Sequence, residues 1–208
     1  MKISYAITVC NEFLEIQRLL GILLEHKREQ DEIVVLFDSK NGTNEVREIL
    51  KHYSKLNWYK WHESKFDHHF ADWKNKLTSL CTGDYVFQID ADEVPNKLLI
   101  NHLPDLLELN PDNDVYLVPR VNTVEGMTQD HMQQWGWAVN ERGWINWPDY
   151  QWRIWKNKPE IRWINKVHER LDGFKTFAQL PADTEELSLY HPKTIERQIK
   201  QNEYYETL

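Results

Sequence analysis

The sequence has few of the features that mark several common protein classes. Its 208 residues include only seven glycines, and neither G-x-G-x-x-G nor G-x-x-x-x-G-K-[ST] occurs, which excludes the dinucleotide fingerprint and the P-loop. No apolar run approaches the roughly 18 residues that a membrane-spanning helix needs. Basic residues number 25 against 33 acidic ones, so the net charge is −8. General binding to a nucleic-acid backbone is therefore not expected.

Cysteine is also scarce, and the amino terminus lacks the apolar core of a signal peptide. Cys10 and Cys81 each lie inside an apolar segment, which predicts free, buried thiols in a reducing compartment. We therefore expect a cytoplasmic protein, free or peripheral to a membrane, with no integral membrane segment.

The first ninety residues alternate apolar runs with amphipathic helical patterns. This order is typical of a parallel sheet covered by helices. The predicted helices are one capped by Asn11, one over Asn44–Tyr53 and one over His69–Cys81. The predicted strands are Lys2–Val9, Glu32–Phe37, Asn57–Trp61 and Tyr85–Ile89.

The second half is less regular and rich in aromatic residues. Seven of the ten tryptophans lie between Trp135 and Trp163, among amide and charged side chains. They either fill the core or offer aromatic faces to sugars or bases. The predicted elements are a helix over Leu98–Leu109, a strand over Val115–Arg120, an edge strand over Gln151–Lys156 and a terminal helix over Thr194–Tyr205. We expect one α/β domain spanning residues 1–208.

Acidic residues follow the fourth predicted strand directly. Ligands of open α/β sheets bind beyond the carboxyl ends of the strands, and Asp90 and Asp92 lie two apart at such an end. Extended geometry places both on one side. Two carboxylates suit Mg²⁺ or Mn²⁺, with a substrate diphosphate completing the coordination. The alternative is a solvated acidic turn.

Three motifs in the first half resemble the family 2 glycosyltransferases. Thr82–Glu93, with the sequence TGDYVFQIDADE, resembles their A-x-G-(D/E)-Y-(I/V)-x-x-x-D-x-D-(D/E) pattern. Thr8–Glu12 resembles the end of their nucleotide-binding first strand. Phe70–Asn75 resembles their D-F-A-x-x-R-N helix start, with Lys74 in the arginine position. The resemblance implies a GT-A fold, which is Rossmann-like, with a mostly parallel central sheet flanked by helices.

Motifs of the second half resemble a narrower branch of that family. They are Gly143–Trp155, Val167–Glu169 and Tyr190-His191. The branch contains lipopolysaccharide-core glucosyltransferases and peptide S-glycosyltransferases. The resemblance implies a nucleotide-sugar-binding half at 1–95 and an aromatic-rich acceptor-side half at 96–208.

The activity that the resemblance implies is a metal-dependent, inverting hexosyl transfer with Mn²⁺ or Mg²⁺. The donor would be a nucleotide sugar, with UDP the expected nucleotide. The acceptor hydroxyl is open between a saccharide, a lipid-linked glycan, a protein and a modified nucleic acid. Such a transfer needs a carboxylate near the acceptor hydroxyl and a cation on the leaving diphosphate.

The resemblance also implies roles for individual residues. His168 would complete a metal shell with Asp90 and Asp92, and Asp149 would be the base, with Glu169 as its rival. The acceptor would meet Trp144, Trp147 and Trp152. The donor would meet Thr8, Asn11, Glu12, Asp38, Lys74, Asn75, Asp90, Ala91 and Asp92.

Strand parity leaves the state of Asp149 open. Asp149 shares a side with Arg153, and an ion pair between them would lower the pKa of Asp149. The nearby tryptophans would instead exclude water and raise it.

Two further functions compete with sugar transfer. A non-catalytic carbohydrate-binding module on a decayed transferase fold would bind without turnover. A glycoside hydrolase would need two facing carboxylates but neither metal nor nucleotide.

Overall fold

The computed structural model describes residues 1–206, with side chains through Tyr204. Its first half alternates strands and helices as the hydrophobic pattern predicts. The elements are β1 (Ile3–Val9), α1 (Phe13–His26), β2 (Glu32–Asp38), α2 (Asn44–Tyr53), β3 (Tyr59–Ser64), α3 (Phe70–Ser79) and β4 (Tyr85–Asp90). Strands β1 to β4 pair in parallel, in the order β3-β2-β1-β4.

The second half extends the same sheet and adds a small hairpin. Its helices are α4 (Lys97–Leu109), α5 (Gln129–Trp135) and α6 (Ile195–Glu206). Its strands are β5 (Val94–Pro95), β6 (Val115–Glu125), β7 (Ile145–Lys156), β8 (Arg162–Ile164), β9 (Arg170–Asp172), β10 (Phe177–Gln179) and β11 (Leu189–Thr194). The full sheet order is β3-β2-β1-β4-β7-β6-β11-β5, with β10 beside β6. Strands β8 and β9 form the separate hairpin.

The expectation that Gln151–Lys156 forms an edge strand is wrong. These residues belong to β7, which runs antiparallel between β4 and β6 inside the sheet. The polar residues that suggested a solvated face, Gln151 and Arg153, instead line a large cavity. The mixed sheet confirms the expected α/β class, while the division at residue 95 stays a prediction.

The sheet is buried on both faces. Strand β2 is buried along its whole length, as its continuous apolar run predicts for a parallel strand. The apolar stripes of α1 and α4 pack against one face, and α3 packs with Trp155 and Trp163 against the other. These two tryptophans therefore belong to the core.

Helix α1 begins differently from the prediction. Its N-cap is Glu12 rather than Asn11, and no side chain caps it. Oε2 of Glu12 instead accepts hydrogen bonds from the N–H groups of Cys10 and Asn11. Within residues 1–206, none of the helices has the length and apolarity to cross a bilayer.

Candidate active site

A cavity of about 960 Å³ opens at the carboxyl ends of the parallel strands. The strand order reverses between β1 and β4, and in open α/β sheets this is where ligands bind. Thr8 at the end of β1 and Asp90 at the end of β4 meet there, with 3.1 Å between Oγ1 and Oδ1. Because β7 is antiparallel, its first half lies at the same edge and places Asp149 in the cavity wall.

Both carboxylates of the Asp90-Ala-Asp92 motif line this cavity, as does Ala91. Oδ2 of Asp90 accepts a hydrogen bond from Arg153 at 2.7 Å, and its Oδ1 accepts one from Gln88 at 2.8 Å. Burial raises the pKa of Asp90, but the charges of Arg153 and Lys74 outweigh it, so the pKa lies well below its usual range. Asp90 is therefore ionised at neutral pH.

Asp92 is held by different partners. Its Oδ2 lies 3.2 Å from Nε2 of His191 and 3.3 Å from a guanidinium nitrogen of Arg197 in α6. Burial raises the pKa of Asp92, but the hydrogen bond and charge of His191 outweigh it and lower that pKa. Nδ1 of His191 lies 2.9 Å from Oδ1 of Asn122. The motif thus presents a second ionised carboxylate to the same cavity.

Asp149 pairs with Arg120, directly across the β6–β7 ladder. Its Oδ2 accepts bonds from Arg120 at 2.7 and 3.0 Å and from Asn122 at 2.7 Å, and its Oδ1 accepts one from Gln151 at 2.7 Å. Burial raises the pKa of Asp149, but Arg120 and these hydrogen bonds outweigh it and lower it.

Of the two alternatives for Asp149, the ion pair that lowers its pKa is the one observed, but the partner is Arg120 rather than Arg153. The alternative of a pKa raised by the tryptophans is not observed. Arg153, four residues on, lies deeper in the sheet and pairs with Asp90 instead. Strand parity predicted the side of β7 on which Asp149 lies. It could not predict the ion-pair partner of Asp149, because that partner lies on the neighbouring strand β6.

Another ion pair lies on the wall that α3 and the segment before β9 form. Nζ of Lys74 lies 2.5 Å from Oε1 of Glu169 and 4.5 Å from the centre of the Trp163 ring. His168 is exposed and lines the same cavity. Within residues 1–204, however, no three His, Cys, Asp or Glu side chains are grouped closely enough to hold a metal. The role predicted for His168 stays a prediction.

The donor-side acids that the sequence singled out also shape the cavity floor. Asp38 is almost fully buried, and its carboxylate accepts bonds from the N–H groups of Lys40 and Phe66 and from the Asn41 amide. Asn11 and Glu12 line the cavity beside it. Burial raises the pKa of Glu12, and the nearby charge of Asp92 raises it further.

Three predicted site residues lie outside the cavity lining. The Asn75 side chain bonds to the backbone N–H and carbonyl of Trp163, at 2.9 Å each, and so fixes β8 to α3. Trp144 and Trp147 pack against each other with ring centres 4.8 Å apart. Trp152 does line the cavity and packs against Phe174. The expected ring of three tryptophans around the cavity is therefore not formed.

A family model described as "Glycosyl transferase family 2" matches residues 4–193. The chain belongs to glycosyltransferase family 2. The match spans nearly the whole chain and includes the acidic motif, Asp149 and His191. It also confirms the family resemblance of the sequence. The narrower branch stays a prediction.

Solved structures support the GT-A fold of this family 2 glycosyltransferase. The S. aureus protein TarS, as its 1–349 fragment, aligns with a TM-score of 0.65 at 16% identity over 92% of this chain. The same fragment with UDP-GlcNAc gives 0.65 at 18% identity over 93%. The chain spans about 60% of that fragment's length. At this identity the likeness shows the fold alone, and no curated protein sequence matches the chain.

The cavity residues of this family 2 member fit a divalent cation in their chemistry. Asp90 and Asp92 are ionised, and among the described residues Oδ1 of Asp92 accepts no hydrogen bond. Hard carboxylate oxygens are the ligands that Mg²⁺ and Mn²⁺ prefer. Because these side chains do not complete a shell, phosphate oxygens would supply the remaining ligands.

The sequence analysis did not identify five residues of this candidate site as site residues. Four of them line the cavity and are buried or half-buried: Arg120, Asn122, Arg153 and His191. The fifth, Glu93, is fully buried behind the cavity wall. A sequence signal existed for Arg120, since a lone cation ends an apolar strand. His191 was noticed only as part of a motif, because its contact with Asp92 spans 99 residues.

Proposed function

We propose that this chain is a metal-dependent, inverting glycosyltransferase that moves a sugar from a UDP-sugar to a hydroxyl acceptor. The observation that carries the proposal is one cavity lined by the ionised Asp90 and Asp92 on its β4 side and by Asp149 on its β7 side. A transferase needs its donor-binding and acceptor-binding groups in one cavity, because the acceptor oxygen must approach the anomeric carbon in line with the bond that breaks.

The donor would lie against β1, β2 and β4. Thr8 and Asp38 are at the ends of the first two strands, and Lys74 is on the wall beside them. Six acidic side chains line the cavity, but six cationic ones line it too: Lys74, Arg120, Arg153, Lys193, Arg197 and Lys200. The cavity thus offers counter-charge to a diphosphate although the whole chain carries −8.

Asp90 and Asp92 are the residues that would hold the cation on the donor diphosphate. When bound, the cation stabilises the negative charge that develops on the departing nucleoside diphosphate. Asp92 is the better direct ligand because its Oδ1 accepts no hydrogen bond from any side chain or backbone group that the structure describes, whereas Arg153, Thr8 and Gln88 all bond to Asp90.

Asp149 is the base that we propose for the acceptor. Its carboxylate takes the proton of the acceptor hydroxyl as that oxygen attacks the anomeric carbon, and the bond from this carbon to the diphosphate oxygen breaks. Attack from the face opposite the diphosphate inverts the anomeric centre. Glu169 is the weaker candidate for the base. Its ion pair with Lys74, at 2.5 Å, is shorter than the 2.7 Å ion pair of Asp149 with Arg120, and Glu169 lies on the donor wall of the cavity.

The acceptor would enter on the side of β7. Trp137 and Trp152 line the cavity there, and aromatic faces suit the apolar faces of sugar rings. A saccharide is therefore the acceptor class that the cavity favours.

Donor binding and turnover together test this function. We would measure the melting temperature with a panel of nucleotide sugars, each with and without Mn²⁺. A bound donor at 100 times its Kd stabilises by about 2.7 kcal/mol, which raises the melting temperature by roughly 5–10 °C in a chain of this size. Nucleotide release in the presence of saccharide acceptors then measures transfer.

The outcomes separate the competing functions. Mn²⁺-dependent release of UDP supports the proposal. Full turnover in excess chelator would contradict the proposed dependence on a divalent metal. Cleavage of a glycoside without a nucleotide donor would indicate a glycoside hydrolase. Binding without any turnover would indicate the carbohydrate-binding alternative.

A further inference from the structure

Five charged side chains form one unbroken row along the cavity wall, and all but the central Glu93 line the cavity. Asp90 pairs with Arg153 at 2.7 Å, Arg153 with Glu93 at 2.5 Å, Glu93 with Arg120 at 3.0 Å, and Arg120 with Asp149 at 2.7 Å. The two ends of the row line the cavity on its donor and acceptor sides. The charges alternate along the row, so each arginine is shared between two carboxylates.

Glu93 is the centre of this row and is fully buried. A single oxygen, Oε1, accepts from both arginines. The other oxygen, Oε2, accepts the backbone N–H of Asp90 at 3.1 Å, while the N–H of Glu93 donates to the Asp90 carbonyl at 2.9 Å. Glu93 is thus fixed to the turn that carries Asp90.

We propose that Glu93 is a positioning residue for sugar transfer, whose carboxylate holds Arg120 and Arg153 so that Asp149 faces the acceptor and Asp90 faces the donor. This inference rests on the proposed function, because it assigns Asp149 to the acceptor proton. Glu93 itself does not line the cavity, so it would act on a bound substrate only through the two arginines.

The physical reason is the sharing of each guanidinium. A carboxylate that binds two arginines withholds part of their hydrogen bonding from other partners. Without Glu93, the carboxylate that pairs with Arg120 would be Asp149, and the one that pairs with Arg153 would be Asp90. Asp149 would then accept a proton less readily and would be drawn towards Arg120, away from the acceptor. Two buried guanidiniums that lose their shared anion also repel each other.

A double-mutant cycle with Asp149 tests this inference. We expect Glu93→Gln to lower kcat about 10–100-fold, the range found when an outer partner of a functional group is removed. In the Asp149→Asn background, the same change should lower kcat by a clearly smaller factor, because the part of the effect that acts through Asp149 is gone and only the part that acts through Asp90 remains. Glu125→Gln, an exposed glutamate at the end of β6, is the control and should leave kcat unchanged.

A merely structural role predicts something different. Glu93→Gln would then reduce the folded fraction, and the losses of kcat per folded molecule would multiply with those of Asp149→Asn. That result, or an unchanged kcat in Glu93→Gln, overturns the inference. If Glu93→Gln does not fold, Glu93→Asp goes through the same cycle, since it keeps the charge and withdraws it by one methylene. The Asp149→Asn variant alone reports on the proposed function, so the two failures are distinguishable.

Discussion

The two edges of the central sheet hold similar charge networks and differ in the space around them. At the amino-terminal edge, the buried Glu32 accepts from Lys2 at 2.8 Å, Ser4 at 2.7 Å, Lys60 at 3.1 Å and the Thr82 N–H at 2.6 Å. These partners tie the starts of β1, β2 and β3 to the turn before β4. Among the described residues, none of this network lines the large cavity.

The carboxyl edge also has a buried glutamate, Glu93. The two arginines that pair with it also pair with Asp90 and Asp149, which line an open cavity. Lowered carboxylate pKa values occur at both edges, at Glu32 and at Asp90. Pairing and pKa therefore do not by themselves mark a functional site. What distinguishes the carboxyl edge is the reversal of strand order, which separates the loops and leaves room for a ligand.

The largest expected effect is a loss of turnover from a substitution at the carboxyl edge, which would show that the reaction takes place at this edge of the sheet. We expect Asp92→Ala to lower turnover by about 10³-fold or more, because several kcal/mol of charge stabilisation on the leaving group are lost. The melting temperature without ligand should change little, since Asp92 lies at the cavity wall rather than in the apolar core. Turnover with Mn²⁺ and the melting curve together check this, and normal turnover would remove the motif from the mechanism.

The second effect separates the two sides of the cavity. Asp149→Asn should lower kcat by about 10², as expected when a general base is lost, and should leave the donor KM nearly unchanged. Glu169→Gln is the matched variant on the donor wall. Steady-state kinetics of both proteins decide the assignment: if Glu169→Gln is the slow enzyme and Asp149→Asn is normal, the base is Glu169.

The third effect concerns the amino-terminal edge. We expect Glu32→Gln to leave kcat within about 2-fold of the parent, since its network lies away from the cavity. The free energy of unfolding should fall by about 2 kcal/mol, the scale of hydrogen bonds to a charged group. Glu48→Gln, whose partner Lys51 is exposed, should cost less than about 0.5 kcal/mol. Denaturant titrations measure both, and a large loss of kcat in Glu32→Gln would break the contrast between the edges.

The smallest effect is the pH dependence of that same stabilisation. Burial raises the pKa of Glu32, but the hydrogen bonds from Lys2, Ser4 and Thr82 outweigh it and lower the pKa to about 2. A lowered folded-state pKa means that the stabilisation is complete above the unfolded pKa of about 4.3. It is lost as the pH falls from there towards 2.

Unfolding measurements between pH 7 and pH 3 check this dependence. The stability difference between the parent and Glu32→Gln should shrink as the pH falls below about 4.3. A difference that stays constant over that range would mean that the charge of Glu32 contributes nothing.

Local patterns predicted most of the first half. Helix α2 has the predicted bounds Asn44–Tyr53, and β1, β2 and β4 match to within a residue, because apolar periodicity and turn residues act over short distances. The predicted Asn11 cap failed because α1 begins one residue later, after Glu12, whose carboxylate bonds backwards to the N–H groups of Cys10 and Asn11 instead of capping the helix. The prediction that β7 is an edge strand failed because polar residues that line an internal cavity alternate along a strand in the same way as polar residues that face solvent.

The candidate site divides in the same way. The sequence placed Asp90, Asp92, Thr8 and Asp38 at strand ends, and parallel strands bring such ends to one edge of a sheet. It could not assign Arg120 to Asp149, because their pairing depends on the register of β6 against β7. It also could not find the edge-to-face pairing of Trp144 with Trp147, both of which lie outside the cavity lining.

By itself, the sequence determined the alternation of strands and helices, the acidic motif at the end of β4 and the membership of a glycosyltransferase family, because each is carried by residues close together in the chain. Only the tertiary structure decided which cation neutralises which carboxylate. Arg153 meets Asp90 across 63 residues, and His191 meets Asp92 across 99. Such pairings depend on the order and register of the strands, and local propensity contains no information about either.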